Sequence, residues 1–149
     1  MDSFEIGLRL LVAAIAGAAI GVNRDLHGKP TGVRTLGLVG LASALIVFAF
    51  EDGEIADQSR VVQGIVTGIG FLGAGVILRG EGDKGIRGLT TAACVWLTAC
   101  IGAACAIADW AILAMSGLLA FIILLFGGPF EKAIHRQWRR SGPEPAYED

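Results

Sequence analysis

Charge is scarce in this sequence, and its absence is organised. Only 17% of the 149 residues are charged, against 54% hydrophobic, and between Leu89 and Phe126 the single charged residue is Asp109. Long charge-free stretches exclude an ordinary soluble domain and point to segments solvated by lipid. Cysteine is also sparse. Cys94, Cys100 and Cys105 all lie in one apolar run, where a disulfide framework has no place, and they read as small packing residues. The first residues, Met1-Asp2-Ser3-Phe4-Glu5, carry acids where a cleavable signal would carry basic groups, so the apolar run behind them is expected to be a retained membrane helix. His27 and His135 stand apart with no ligand pattern around either, and no activated nucleophile or Walker loop is present. No catalytic, metal or cofactor site is therefore expected, and no nucleic-acid partner.

What the sequence does have is apolar runs of membrane length. A hydrocarbon core about 30 Å thick takes roughly 17–25 helical residues. Residues 6–22, 33–50, 61–78, 89–108 and 110–127 approach that length. A single helix from Leu89 to Phe126 would be about 57 Å long at 1.5 Å per residue, so the chain must turn, and Ala108-Asp109-Trp110 is the natural corner. The expectation is an all-α integral membrane protein: a five-helix bundle over residues 1–130, followed by a short basic tail, 131–149. In that tail, 131–140 continues as a basic amphipathic helix, and the Pro-rich end is disordered.

The basic residues set the orientation. Arg24, Lys29 and Arg34 follow span one; Arg79, Lys84 and Arg87 follow span three; Lys132, Arg136, Arg139 and Arg140 follow span five. These are all of the twelve Lys and Arg residues except Arg9 and Arg60. Asp2, Glu5, Glu51, Asp52, Glu54, Asp57 and Asp109 fall on the opposite side. The positive-inside rule places the N-terminus outside and the C-terminus in the cytoplasm, in agreement with an odd number of spans. Arg9 lies one turn into span one with Glu5 four residues before it, the favourable order for a helical ion pair.

Span three carries Gly64, Gly68, Gly70, Gly73 and Gly75 around Phe71. Glycine survives in a membrane helix because an unpaired backbone costs more in lipid, and it allows close helix approach. Gly64 and Gly68 form a GxxxG pair that Gly75 extends, so span three reads as the packed centre of the bundle, with homo-oligomerisation an alternative use of the same pair. Gly68-Ile69-Gly70-Phe71-Leu72-Gly73 also matches the dinucleotide fingerprint GxGxxG, but it has neither the preceding strand nor the following acid that the chemistry needs.

The two basic loops resemble each other. Asn23-Arg24-Asp25 with Gly32-Val33-Arg34-Thr35 parallels Arg79-Gly80-Glu81 with Gly85-Ile86-Arg87-Gly88-Leu89-Thr90-Thr91, and Gly17-Ala18-Ala19-Ile20 parallels Gly73-Ala74-Gly75-Val76. This suggests two parallel helical hairpins plus a fifth helix, an arrangement that places sites at the repeat interface. Packed side by side, the hairpins would gather Arg24, Arg34, Arg79 and Arg87 at one face. Those arginines would either touch lipid headgroups or hold an anionic group, since guanidinium binds phosphate and carboxylate in bidentate fashion. Thr90 and Thr91 are expected to cap span four and then bond within the bundle.

Taken in order, Gly21-Val22-Asn23-Arg24-Asp25, Gly32-Val33-Arg34-Thr35, the run from Gly64 to Ile77, and Arg87-Gly88-Leu89-Thr90-Thr91-Ala92-Ala93 with Trp96 resemble the membrane domain of the MgtC/SapB family over roughly residues 5–127. The resemblance implies a bacterial inner-membrane protein that is a regulator rather than a magnesium transporter. Its relatives are associated with virulence, growth in low magnesium and survival inside macrophages, and its partners in the membrane would include the ATP synthase or a cation ATPase. The family pattern usually has Glu at the position of Asn23, so a role that needs that carboxylate is not carried over. Neither is regulation through the cytoplasmic C-terminal domain of many relatives, which lies outside this sequence. A small ion or solute transporter is the alternative.

Overall fold

The computed structural model describes residues 2–51, 53, 55–77, 87–107 and 110–141, the last stretch in backbone alone at 129 and from 131 onward. All regular structure among them is helical. The helices are α1 (Ser3–Leu26), α2 (Val33–Phe48), α3 (Ile55–Ile77), α4 (Leu89–Ile107) and α5 (Trp110–Ser141). α1, α3, α4 and the Trp110–Gly128 part of α5 are long and apolar enough to cross a membrane, whereas α2 is apolar but shorter. The protein is thus a multi-pass membrane protein. After Leu89 the apolar run is described as two helices, one ending at Ile107 and the next starting at Trp110, and the corner expected at 108–109 lies outside the described residues. The helical part of the tail runs straight on from span five to Ser141; the lipid-facing side chains and the disordered end expected there lie outside the described residues.

The chain divides into two units, Met1–Gly117 and Leu118–Asp149. In the first, α1 and α2 form one antiparallel pair and α3 and α4 another, with α4 also against α1 and α2. Contacts between Arg24 and Thr91 at one end and between Arg9 and Cys105 at the other fix α1 as antiparallel to α4. Gly73 beside Ala92, and Val61, Val62 and Ile65 beside Ala103 and Ala106, make α3 antiparallel to α4 as well. The two hairpins therefore run in the same sense. In the second unit, α5 continues with Leu118, Leu119, Ile123 and Phe126 exposed, a surface that suits hydrocarbon and not water.

The core is built from small residues. Ala13, Ala44, Ala99, Ala103 and Ala106 are buried together with Leu36, Val47, Val95 and Thr98. Lipid supplies no hydrophobic drive to push helices together, so close backbone approach must do so. Four glycines allow it. A Cβ on Gly17 would strike the Leu36 carbonyl, one on Gly21 the Val33 backbone, one on Gly40 the Ala13 carbonyl, and one on Gly102 the backbone of Gly40. These positions form a seam along α1, α2 and α4.

This corrects the expectation that span three is the packed centre. α4 is the helix buried along its length, from Thr91 to Ala106. In α3 only Gly73 is buried, in ordinary contact with the Ala92 methyl at 3.6 Å. A Cβ on Gly64, Gly68, Gly70 or Gly75 would meet no described residue of another element within 4 Å. Phe71 is 84% exposed and Trp96 48%. Among the described residues of the first unit these six do not play the expected packing role: a GxxxG pair permits close approach but does not select the partner, and α1 offers the same motif at Gly17 and Gly21.

Candidate functional site

The site develops where α1 ends and α2 and α4 begin. α1 stops in a Schellman turn: Lys29 N–H donates to the Arg24 carbonyl (3.0 Å) and Gly28 N–H to the Asp25 carbonyl (3.0 Å). Gly28 sits at φ +60°, the left-handed position glycine fills without a Cβ penalty. His27 Nδ1 lies 2.7 Å from the carbonyl of Asn23 and closes the last turn. The chain then reverses within a few residues, and the Asp25 carboxylate accepts from Val33 N–H at 3.0 Å. A negative side chain at a helix N-terminus satisfies an amide that has no intrahelical partner and suits the positive end of the dipole. Gly32 is required beside it, since a Cβ there would overlap the Asp25 carboxylate.

Arg24 is buried, at 5% exposure. Its side chain crosses from the last turn of α1 to the first turn of α4, where one Nη donates to Thr91 Oγ1. Thr91 is itself 3% exposed. The Arg24 Nε has no hydrogen-bond partner. The structure therefore brings Arg24 together with Thr91, and Asp25 with Gly32 and Val33. Asn23 is half-buried, while Arg34, Thr35, Arg87 and Thr90 are exposed around the same end of the bundle. Arg79 lies outside the described residues. Gly88, just before α4, has φ +91°, and a Cβ on it would sit 2.8 Å from the Val76 carbonyl, so this glycine sets the approach of α3 to α4.

A second cluster, at the opposite end of the bundle, was only half legible. The expected Glu5–Arg9 pair is present at 3.1 Å. Arg9 also donates to the Cys105 carbonyl at 3.0 Å and stacks 4.9 Å from the Trp110 ring centroid. It thus ties α1 to the end of α4 and the start of α5, a contact that no spacing in the sequence announces. The three cysteines are free, Cys94 and Cys105 buried on one face of α4 and Cys100 less so. Among the described residues no group of three His, Cys, Asp or Glu side chains is placed to hold a metal.

Comparison with known proteins places this architecture. The chain is 38% identical to the protein SrpB of Synechococcus elongatus over 157 aligned positions, covering 96% of this chain and 84% of that one. It is 44% identical to YhiD of Escherichia coli over 107 positions and 40% identical to the protein MgtC of Salmonella typhimurium over 125. It spans 49% of the length of YhiD and 52% of that of MgtC. No solved structure matches it. The MgtC family model matches residues 10–133, a stretch that includes the Arg24–Thr91 bridge, the glycine seam and all of α3, and the chain belongs to the MgtC family.

Proposed function

We propose that this protein is a non-enzymatic regulator of the bacterial inner membrane that acts by contact with another membrane protein. The observation that carries this reading is the outer face of α3. Gly64, Thr67, Gly68, Phe71 and Gly75 recur at helical spacing on the side opposite buried Gly73, and all five are exposed. An aromatic knob between glycine hollows, with a threonine hydroxyl beside it, suits a partner helix better than it suits lipid chains. The expected spans contain no Asp or Glu, whereas cation- or proton-coupled transport ordinarily draws on an intramembrane carboxylate. By family resemblance the regulated process is adaptation to low magnesium and intracellular survival, with the ATP synthase or a cation ATPase as candidate partners. In this reading the N-terminus lies outside and the Arg24 end of the bundle faces the cytoplasm, an orientation that the distribution of Lys and Arg supports.

Photo-crosslinking from positions 67 and 71 in native membranes tests this directly. A discrete crosslinked membrane protein that disappears in Gly68→Leu is the expected result. Crosslinks to lipid alone would overturn it, and crosslinks only to a second copy would replace the partner by a homo-oligomer. A second reading, a small transporter, draws on the two hairpins that run in the same sense and on the name of the Escherichia coli relative, "Putative magnesium transporter YhiD". Magnesium flux in proteoliposomes, abolished by an Arg24 or Arg87 substitution, would favour it.

A further inference from the structure

Arg24 is a buried cation without a counter-charge: it is 5% exposed and makes no ion pair with any described residue. One Nη is used by Thr91, while Nε is sealed from solvent with nothing to donate to. A lone buried charge is costly in any protein, and an unsatisfied N–H adds to that cost. Its surroundings sharpen the point. Thr91 stands in the first turn of a 19-residue helix. Ala92 N–H is satisfied by the Gly88 carbonyl at 2.8 Å, but helix geometry leaves the amides of 89–91 without an acceptor one turn back. A guanidinium therefore meets the positive end of a helix, and the carbonyl end of α1 offsets only part of the charge. The carboxylate next in sequence, Asp25, is committed to the start of α2.

Two positive groups with spare donors on both describe the walls of an anion site. The Nε–Nη edge of arginine matches two oxygens of a tetrahedral oxyanion. Thr91 Oγ1, which accepts from Arg24, keeps its own proton to donate. Position selects the anion. Arg24 lies in the last turn of α1, level with the starts of α2 and α4, and exposed Arg34 and Arg87 flank the same end. That is the depth of lipid headgroups, where phosphate is the abundant anion. We propose that Arg24, Thr91 Oγ1 and the first-turn amides of α4 bind a phosphate group, carried by a phospholipid headgroup or by free phosphate. No residue of α3 takes part, so the site stands independently of the partner-helix reading.

The test uses the full chain in a phosphate-free neutral detergent, with the Arg24 Nε–H resonance assigned by its loss in Arg24→Lys. The probes are dioctanoyl phosphatidic acid and inorganic phosphate. Dioctanoylglycerol and chloride at matched ionic strength are the controls. The resonance is expected to move and its solvent exchange to slow with the phosphate-bearing probes and not with the controls. A response to phosphatidic acid alone assigns the phosphate to lipid; a response to both makes free phosphate a ligand as well. Thr91→Val is expected to weaken binding roughly tenfold, the loss of one charge-assisted contact. No movement at millimolar phosphate or phosphatidic acid, an equal response to the controls, or unchanged affinity in Thr91→Val would overturn the site. If Thr91→Val does not fold, the titration of the unsubstituted chain decides between the same outcomes.

Discussion

Single residues carry two kinds of cost in this bundle, backbone strain and close approach. Thr31 holds φ +63° in the turn between α1 and α2, and its hydroxyl donates to the Pro30 carbonyl at 2.6 Å. A β-branched residue is an outlier in the left-handed region, at a penalty on the order of 1 kcal/mol. Thr31→Gly is expected to raise the thermal midpoint in detergent, stabilising by about 1 kcal/mol less the extra freedom glycine gains in the unfolded chain. An unchanged or lower midpoint would mean that the turn is held by other means. Gly102 is the opposite case. A Cβ there would stand 2.9 Å from the Gly40 Cα and carbonyl carbon, atoms that move only if α2 moves. Gly102→Ala should destabilise by about 1–3 kcal/mol, the range for overpacking, and an SDS-unfolding titration would measure it. At the other end, Trp110→Leu removes the ring under Arg9 while keeping an apolar side chain, with an expected loss of about 0.5–1 kcal/mol.

At the scale of elements, α3 and α1 make a controlled comparison, because both spell GxxxG. α1 buries its pair at Gly17 and Gly21 against α2, and α3 leaves Gly64 and Gly68 open. Leu substitutions should therefore part company: Gly17→Leu should abolish stable folding, and Gly68→Leu should leave the melting curve unchanged while removing whatever α3 contacts. Equal destabilisation by the two would return α3 to the core. The contrast also shows where reading the sequence runs out. The number of helices follows from hydropathy and length, and the Glu5–Arg9 pair follows from its spacing. Which face of an apolar helix points inward does not, since lipid and protein interior are both apolar and the usual amphipathic signal is missing. Burial of Arg24 was hidden for a related reason. An arginine at the end of a span reads as an interfacial anchor, and only the approach of α4, 67 residues further on, encloses it. Asp25 was legible as part of the inner-face motif but not as a cap, because it serves a helix that begins at Val33 rather than one that begins beside it.

For the whole molecule, the decisive question is whether α2 crosses the bilayer. Its 16 residues amount to about 24 Å at 1.5 Å per residue, short of a hydrocarbon core of roughly 30 Å. Three features extend its reach. Ala49, Phe50 and Glu51 continue in hydrogen-bonded turns to Leu45, Val47 and Phe48, Gln58 Nε2 donates to the Glu51 carbonyl at 2.9 Å and ties that turn to α3, and α2 lies against α1 and α4, both long enough to span. A short helix held between longer ones can be accommodated by local thinning of the bilayer. If α2 crosses, Lys29 and Gly53 lie on opposite sides of the membrane, and the positive-inside rule puts Gly53 outside. A membrane-impermeant thiol reagent applied to intact spheroplasts should then label Gly53→Cys at once and Lys29→Cys only after permeabilisation. The native thiols, carried in apolar α4, should stay unreactive in the parent protein. Labelling of both positions before permeabilisation would mean that α2 turns back without crossing, and the charges of the first loop would no longer face the cytoplasm. The reverse pattern would keep the bundle but invert it, and would move the Arg24–Thr91 site to the outer leaflet, where its phosphate would have to come from a different lipid pool.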